Sequence, residues 1–166
     1  MATTYEAIAT VTVGSGGAAN IQFTSIPQTY TDLVLKVCAR SDGADDYGQI
    51  TFNSSSANFT RKFILGLGSS IQNSSFSNNS FLTVNPSGYT ANTFANVEYY
   101  IPNYAGSNYK SLNLDAVTEN NATSASTILQ AVLWSNTAAI TSISMNCNTG
   151  NFVQYSTATL YGIKNS

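Results

Sequence analysis

Eight acidic side chains and no histidine limit the chemistry this 166-residue chain can perform. Histidine has the unperturbed pKa nearest neutrality, so its absence removes the commonest general base and a frequent metal ligand. Glu98, Asp115 and Glu119 could supply the two carboxylates, about 5–9.5 Å apart, that glycoside cleavage requires. Nothing in their spacing singles them out, and exposed strand or loop positions account for them. Asp42-Gly43-Ala44-Asp45-Asp46 is the one acidic cluster. Asp42, Asp45 and Asp46 around a glycine turn would offer calcium some of its oxygen ligands. The spacing departs from an EF-hand loop, however, and a solvated loop between strands is the simpler reading. Gly66-Leu67-Gly68-Ser69-Ser70 lacks the lysine of a phosphate-binding loop. No catalytic residue and no cofactor is assigned.

The aromatic residues Tyr99, Tyr100, Tyr104, Tyr109 and Trp134 form a second group. Aromatic faces pack cores, anchor protein interfaces and stack on sugars, and these five are candidates for an interface. Cys38 and Cys147 each fall in an expected strand, are far apart in sequence, and read as two buried free thiols. No CxxC or Cys/His cluster suggests zinc.

The elements that position these residues are strands. Leu33, Leu35, Val37 and Ala39 alternate with Val34, Lys36, Cys38 and Arg40, the clearest strand pattern in the chain. The alternation around Ala7 to Val13, the turn Gly14-Ser15-Gly16-Gly17 and the segment Ile21-Gln22-Phe23 read as a β-hairpin. Strands are expected at 49–53, 61–66, 81–84, 93–101, 109–118, 140–146 and 157–163. Residues 126–135 also fit a helical stripe, but Thr127, Ile128, Val132 and Trp134 favour a pleated surface. Residues 67–80, rich in Ser and Asn, read as a long exposed loop. Roughly ten strands without a convincing helix predict an all-β fold, a single antiparallel β-sandwich over 1–166, jelly-roll-like.

Composition narrows the class of function further. Sixty-one positions are Ser, Thr or Asn, whereas six residues are basic and the net charge is −2. Of the basic residues only Arg61 and Lys62 adjoin, which argues against nucleic acid or a membrane surface as partner. Residues 1–25 show no basic leader before an apolar core, so no secretory signal is expected. A net charge this close to zero protects poorly against self-association, which suits a subunit of an assembly.

Five segments together resemble a family of short virion structural proteins of tailed bacteriophages, common among marine and cyanobacterial phages. They are MATTYEAIAT at Met1 to Thr10, SIPQTYTDLVLKVCARSD at Ser25 to Asp42, ANTFANVEYYIPNYAG at Ala91 to Gly106, LWSNTAAITSI at Leu133 to Ile143 and FVQYSTATLYGIK at Phe152 to Lys164. The resemblance implies a virion location, synthesis in the host cytoplasm, and partners such as the major capsid protein or other virion proteins. It carries no functional residue over. One domain without a fibre shaft leads to the expectation of a capsid-decorating (cement) protein on the capsid exterior, acting as a homotrimer. The alternative is a tail- or fibre-associated module that binds a host glycan.

Overall fold

A computed structural model describes residues 4–79 and 81–164. Met1 to Thr3, Ser80, Asn165 and Ser166, which the sequence reading also covered, lie outside the described residues. The chain forms β1 (Tyr5–Thr12), β2 (Ile21–Phe23), β3 (Asp32–Ala39), β4 (Tyr47–Phe52), β5 (Phe59–Leu67) and β6 (Ser70–Phe76). It continues through β7 (Leu82–Thr83), β8 (Ala95–Ile101), β9 (Lys110–Glu119), β10 (Ala125–Trp134), β11 (Ile143–Cys147) and β12 (Thr157–Ile163). Every pairing between these strands is antiparallel. An eight-stranded sheet runs β1-β12-β3-β8-β9-β10-β5-β6, and a four-stranded sheet runs β2-β11-β4-β7. The all-β antiparallel sandwich is therefore as the alternation predicts.

Strand sequence follows burial. β9 alternates buried and exposed positions without exception, Lys110, Leu112, Leu114, Ala116 and Thr118 facing inward. A period of two on a half-covered sheet has this signature. The 126–135 segment is strand β10, paired with β9 on one side and β5 on the other. Between the sheets lies one apolar cluster that includes Leu33, Leu35, Ile50, Val97, Leu114, Ile143 and Leu160. Its widest side chains form an aromatic chain: Trp134 meets Phe52 edge-on at 5.4 Å, Phe52 meets Phe59 at 5.4 Å, and Phe59 meets Phe81 at 5.4 Å.

Two expectations are corrected. Ala7 to Phe23 is not a hairpin, because β1 pairs with β12 and β2 with β11 in the opposite sheet. The glycine turn does form, with the Gly17 N–H bonded to Gly14 O at 3.1 Å. It carries the chain across the sandwich instead of back along β1, so that Ile21 and Phe23 are buried. A turn signal fixes a change of direction and leaves the choice of partner to tertiary burial. Nor is 67–80 a loop: Ser70–Phe76 is a strand, joined to β5 through Gly68-Ser69 alone. Gly68 has φ +56°, the left-handed geometry that a two-residue hairpin takes at its first position when that residue is glycine.

Lys110, fully buried at the start of β9, holds the loops at one end. Its ammonium donates to Gly106 O at 2.6 Å, Ala138 O at 2.6 Å and Thr137 O at 3.2 Å, and lies 5.8 Å from the Trp134 ring centre. Burial lowers its pKa below the ordinary lysine value. Replacing Lys110 with Met keeps the apolar stem and leaves three part-buried carbonyls without that donor. We expect Lys110→Met to cost about 3 kcal/mol, measured by urea unfolding with an unchanged m-value. A loss below about 1 kcal/mol would show that those carbonyls find other partners.

Candidate functional site

The acidic loop is tied to residues 148–151. Asp42 Oδ1 accepts the Asn151 N–H at 2.6 Å, and Asp45 Oδ2 accepts from the Asn148 amide at 2.7 Å. Thr149 Oγ1 accepts the N–H groups of Ala44 and Asp45, both at 3.1 Å. A Cβ on Gly43 would lie 2.1 Å from Thr149 O, so only glycine allows this close approach. Asp42, Asp45 and Asp46 do not converge: among the described residues no three of His, Cys, Asp and Glu could hold a metal ion. The calcium candidate is corrected on that ground, and the Asp42 and Asp45 carboxylates are engaged with residues 148–151.

Glu98 and Asp115 are brought together as direct cross-strand neighbours on the outer face of the large sheet. Glu98 is paired with Lys36 at 3.0 Å. Glu119 is elsewhere occupied, its Oε1 accepting the Asn121 N–H at 2.7 Å.

Three of the five aromatic interface candidates belong to the core. Tyr99, Tyr104 and Trp134 are fully buried, which corrects their assignment. The Tyr99 hydroxyl donates to Phe81 O at 3.1 Å, burial raises its pKa, and the Tyr104 hydroxyl donates to Pro27 O. Tyr100 is half-buried and donates to Asp32 Oδ2 at 2.8 Å, a bond that raises its phenol pKa. Tyr109 alone is freely exposed. Alternation could separate these roles: Tyr99 shares the parity of Val97 and Ile101, whereas Tyr100 shares that of Glu98.

The exposed aliphatic surface of the large sheet lies instead on β5, β6, β9 and β10. On the outer face, Leu129 of β10 sits opposite Ile64 of β5, while Val117 of β9 and Ile71 of β6 lie diagonal to them. These four form a stripe across four strands, and all are exposed, Ile71 at 77%. Diagonal neighbours on a sheet face remain within side-chain reach. A shallow hollow of about 330 Å³ beside the stripe is lined by Lys62, Phe63, Ile64, Asn113, Leu129 and Ala131, among others. The signal was the unbroken apolar run Phe63-Ile64-Leu65, which leaves an apolar side chain on each face of a strand.

On the inner side of the same strands burial falls away, from Phe59 to the half-buried Phe63 and the exposed Leu67. Here a groove of about 250 Å³ is lined by Tyr47, Arg61, Phe63, Leu65, Ile128 and Gln130 among others. The Arg61 guanidinium lies 5.4 Å from the Phe63 ring centre and 5.0 Å from that of Phe76. Its Nη1 donates to Gln130 Oε1 at 3.4 Å, while its buried Nε has no hydrogen-bond partner. The only ion pairs among the described residues are Lys36–Glu98 and Lys164–Glu6, so this cation makes no ion pair, although Asp46 also lines the groove.

The two thiols are free but differ. Cys147 is buried, whereas Cys38 is exposed on the outer face of β3, which corrects the expectation for Cys38. No family model matches the chain, and no curated protein or solved structure shows significant similarity to it.

Burial pushes the Cys147 thiol up to about 11. Because the folded pKa exceeds the ordinary 9.0, this thiol's stabilising contribution is whole below about pH 9 and is lost as the pH rises through about 11. We expect one rapid alkylation in the native protein, at Cys38, and a second only on unfolding, read by intact mass. Equal rates at the two sites in native protein would contradict this difference in exposure.

Proposed function

We propose that this chain is a structural protein of a tailed-phage virion, acting by contact and not by turnover. In this reading it decorates the capsid exterior as a symmetric homo-oligomer, favoured as a trimer, and ties neighbouring capsomers together. The observation that carries the proposal is the exposed stripe of Val117, Leu129, Ile64 and Ile71 across four strands. Contiguous exposed apolar surface on a soluble domain marks an interaction site. The stripe sits on rigid sheet, so little ordering cost opposes binding. Three equivalent sites on one oligomer would turn a modest contact into a durable one through effective concentration. Contacts of this composition are insensitive to salt, because screening acts on exposed charges.

The resemblance to short virion proteins supplies the particle. The strand order supports the jelly-roll reading, a fold also used by capsid domains. β1-β12-β3-β8 faces β2-β11-β4-β7, the chain changing sheet at nearly every step, with the β5–β6 and β9–β10 hairpins widening one side.

A second reading, a tail or fibre module that binds host glycan, is favoured by the groove at Arg61. There an aromatic face, amide and hydroxyl groups, the Asp46 carboxylate and a cation in no ion pair line one groove. Location on the particle separates the two, by cryo-electron microscopy or immunogold labelling.

Purified protein should bind particles stripped of it and raise their temperature of disruption. In the double variant Ile64→Lys with Leu129→Lys we expect binding to fall at least about tenfold, with domain stability within about 1 kcal/mol of the parent. Undiminished binding, or labelling confined to tail tips, would overturn the cement role.

A further inference from the structure

The eight-stranded sheet has two open edges, and they are built differently. β1 carries Glu6, ion-paired with Lys164 at 3.4 Å, and its register with β12 shifts between Ala7 and Ala9. A charge and an irregular register both discourage a further strand from pairing there. β6 has neither device. Its seven residues, Ser70-Ile71-Gln72-Asn73-Ser74-Ser75-Phe76, hold no charge and no proline, and among the described residues no strand pairs with its outer side.

β6 is also preformed. It pairs with β5 without interruption from Arg61–Phe76 to Leu67–Ser70. The Phe63 and Phe76 rings stack across the two strands at 5.9 Å and 13°, with the Arg61 guanidinium against both. A strand so held loses little entropy on receiving a neighbour.

We propose that β6 is a self-association edge, where two copies of this chain pair β6 to β6, antiparallel, about a two-fold axis. A two-fold contact requires a self-complementary patch, and an uncharged strand meets its own copy without like-charge repulsion. Pairing β6 with the β1 of another copy would bring it against the protected edge, and would build an open chain instead of a closed pair. The net charge of −2 adds little long-range repulsion between copies.

In the register of fullest overlap Asn73 faces its own counterpart, and Ile71 faces Ser75 of the partner subunit. The two Ile71 side chains then stand on the same face, four positions apart along the join, with the Asn73 pair between them. This contact stands apart from the virion reading. If the oligomer proposed above forms through another surface, β6 joins such oligomers in pairs.

The test is the mass of the full chain by sedimentation and light scattering over a concentration series. Wild type should form an even-numbered particle at the higher concentrations. Asn73→Lys and Asn73→Glu should each halve the mass, through an affinity loss of at least about tenfold, with the circular dichroism unchanged. An equimolar mixture of the two variants should restore the larger particle, because opposite charges then face each other. A monomeric wild type, an unreduced mass in both variants, or no recovery on mixing overturns the proposal. Should the variants fail to fold, hydrogen exchange of wild type decides. Protection within residues 70–76 that rises with concentration supports the pairing, and protection independent of concentration overturns it.

Discussion

Beneath Trp134 the Lys110 ammonium meets three backbone carbonyls from two loops, and the end of the sandwich closes around it. An ammonium has three donors and no acceptor, so three carbonyls satisfy it fully without a carboxylate. The Ile140 N–H bond to Tyr104 O, at 3.0 Å, ties the same two loops. Arg40 repeats the device at another turn, donating to the carbonyls of Ser87, Tyr89, Thr90 and Thr93. Of the six basic residues, then, two organise backbone, Lys36 and Lys164 pair with glutamates, and Arg61 lies against phenylalanine rings. Lys62 is left beside the outer stripe.

With charge so scarce, neutral amides and hydroxyls satisfy the remaining connections. Asn53 Oδ1 accepts the N–H groups of Thr141 at 2.8 Å and Ser142 at 3.2 Å, while its amide donates to Ala139 O at 2.8 Å. Asn120 Oδ1 likewise closes the β9–β10 turn by accepting from Ala122 and Ser124. Among the described residues, five of the eight non-glycine residues with positive φ are asparagine, the side chain that tolerates the left-handed region best after glycine. The abundance of Asn and Ser in the sequence thus partly reflects the turns between the strands of the described residues, in a chain with eleven glycines.

What could be read from sequence was what burial wrote there. β9 and β12 alternate because one face meets the core, as β3 does from Leu35 onward, and their ranges follow from the pattern. β6 escaped because neither of its faces is buried, so Ser and Asn fill positions that a covered strand would give to Val or Ile. Its one legible mark was Gly68-Ser69, the length and composition of a tight hairpin turn. The partners of β1 and β2 lie more than a hundred residues away, at β12 and β11, and no local signal encodes such pairing. Among candidate site residues, parity would have placed Tyr99 inside. The exposure of Cys38 follows from its parity with Lys36. Trp134 is inward because β10 ends over the core, which only the packing of the second sheet determines.

The same packing explains why the exposed apolar side chains fall where they do. The four-stranded sheet covers only part of a sheet twice its width, so β5 and β6 receive little burial on either side. Apolar side chains there contribute least to the stability of the isolated domain, because burial is what makes them stabilising. Ile64, Leu129 and Ile71 nevertheless stand exposed in one continuous stripe, while the inner face keeps Phe63, Leu65 and Phe76 around a partly desolvated arginine. Such a distribution gains free energy only when a second surface covers it. The hairpins that widen the sheet thus add strand pairing at little cost to the core and place the uncovered apolar area outside it. Substitutions on that rim can then alter association while the sandwich, held by its aromatic centre and by Lys110, keeps its fold.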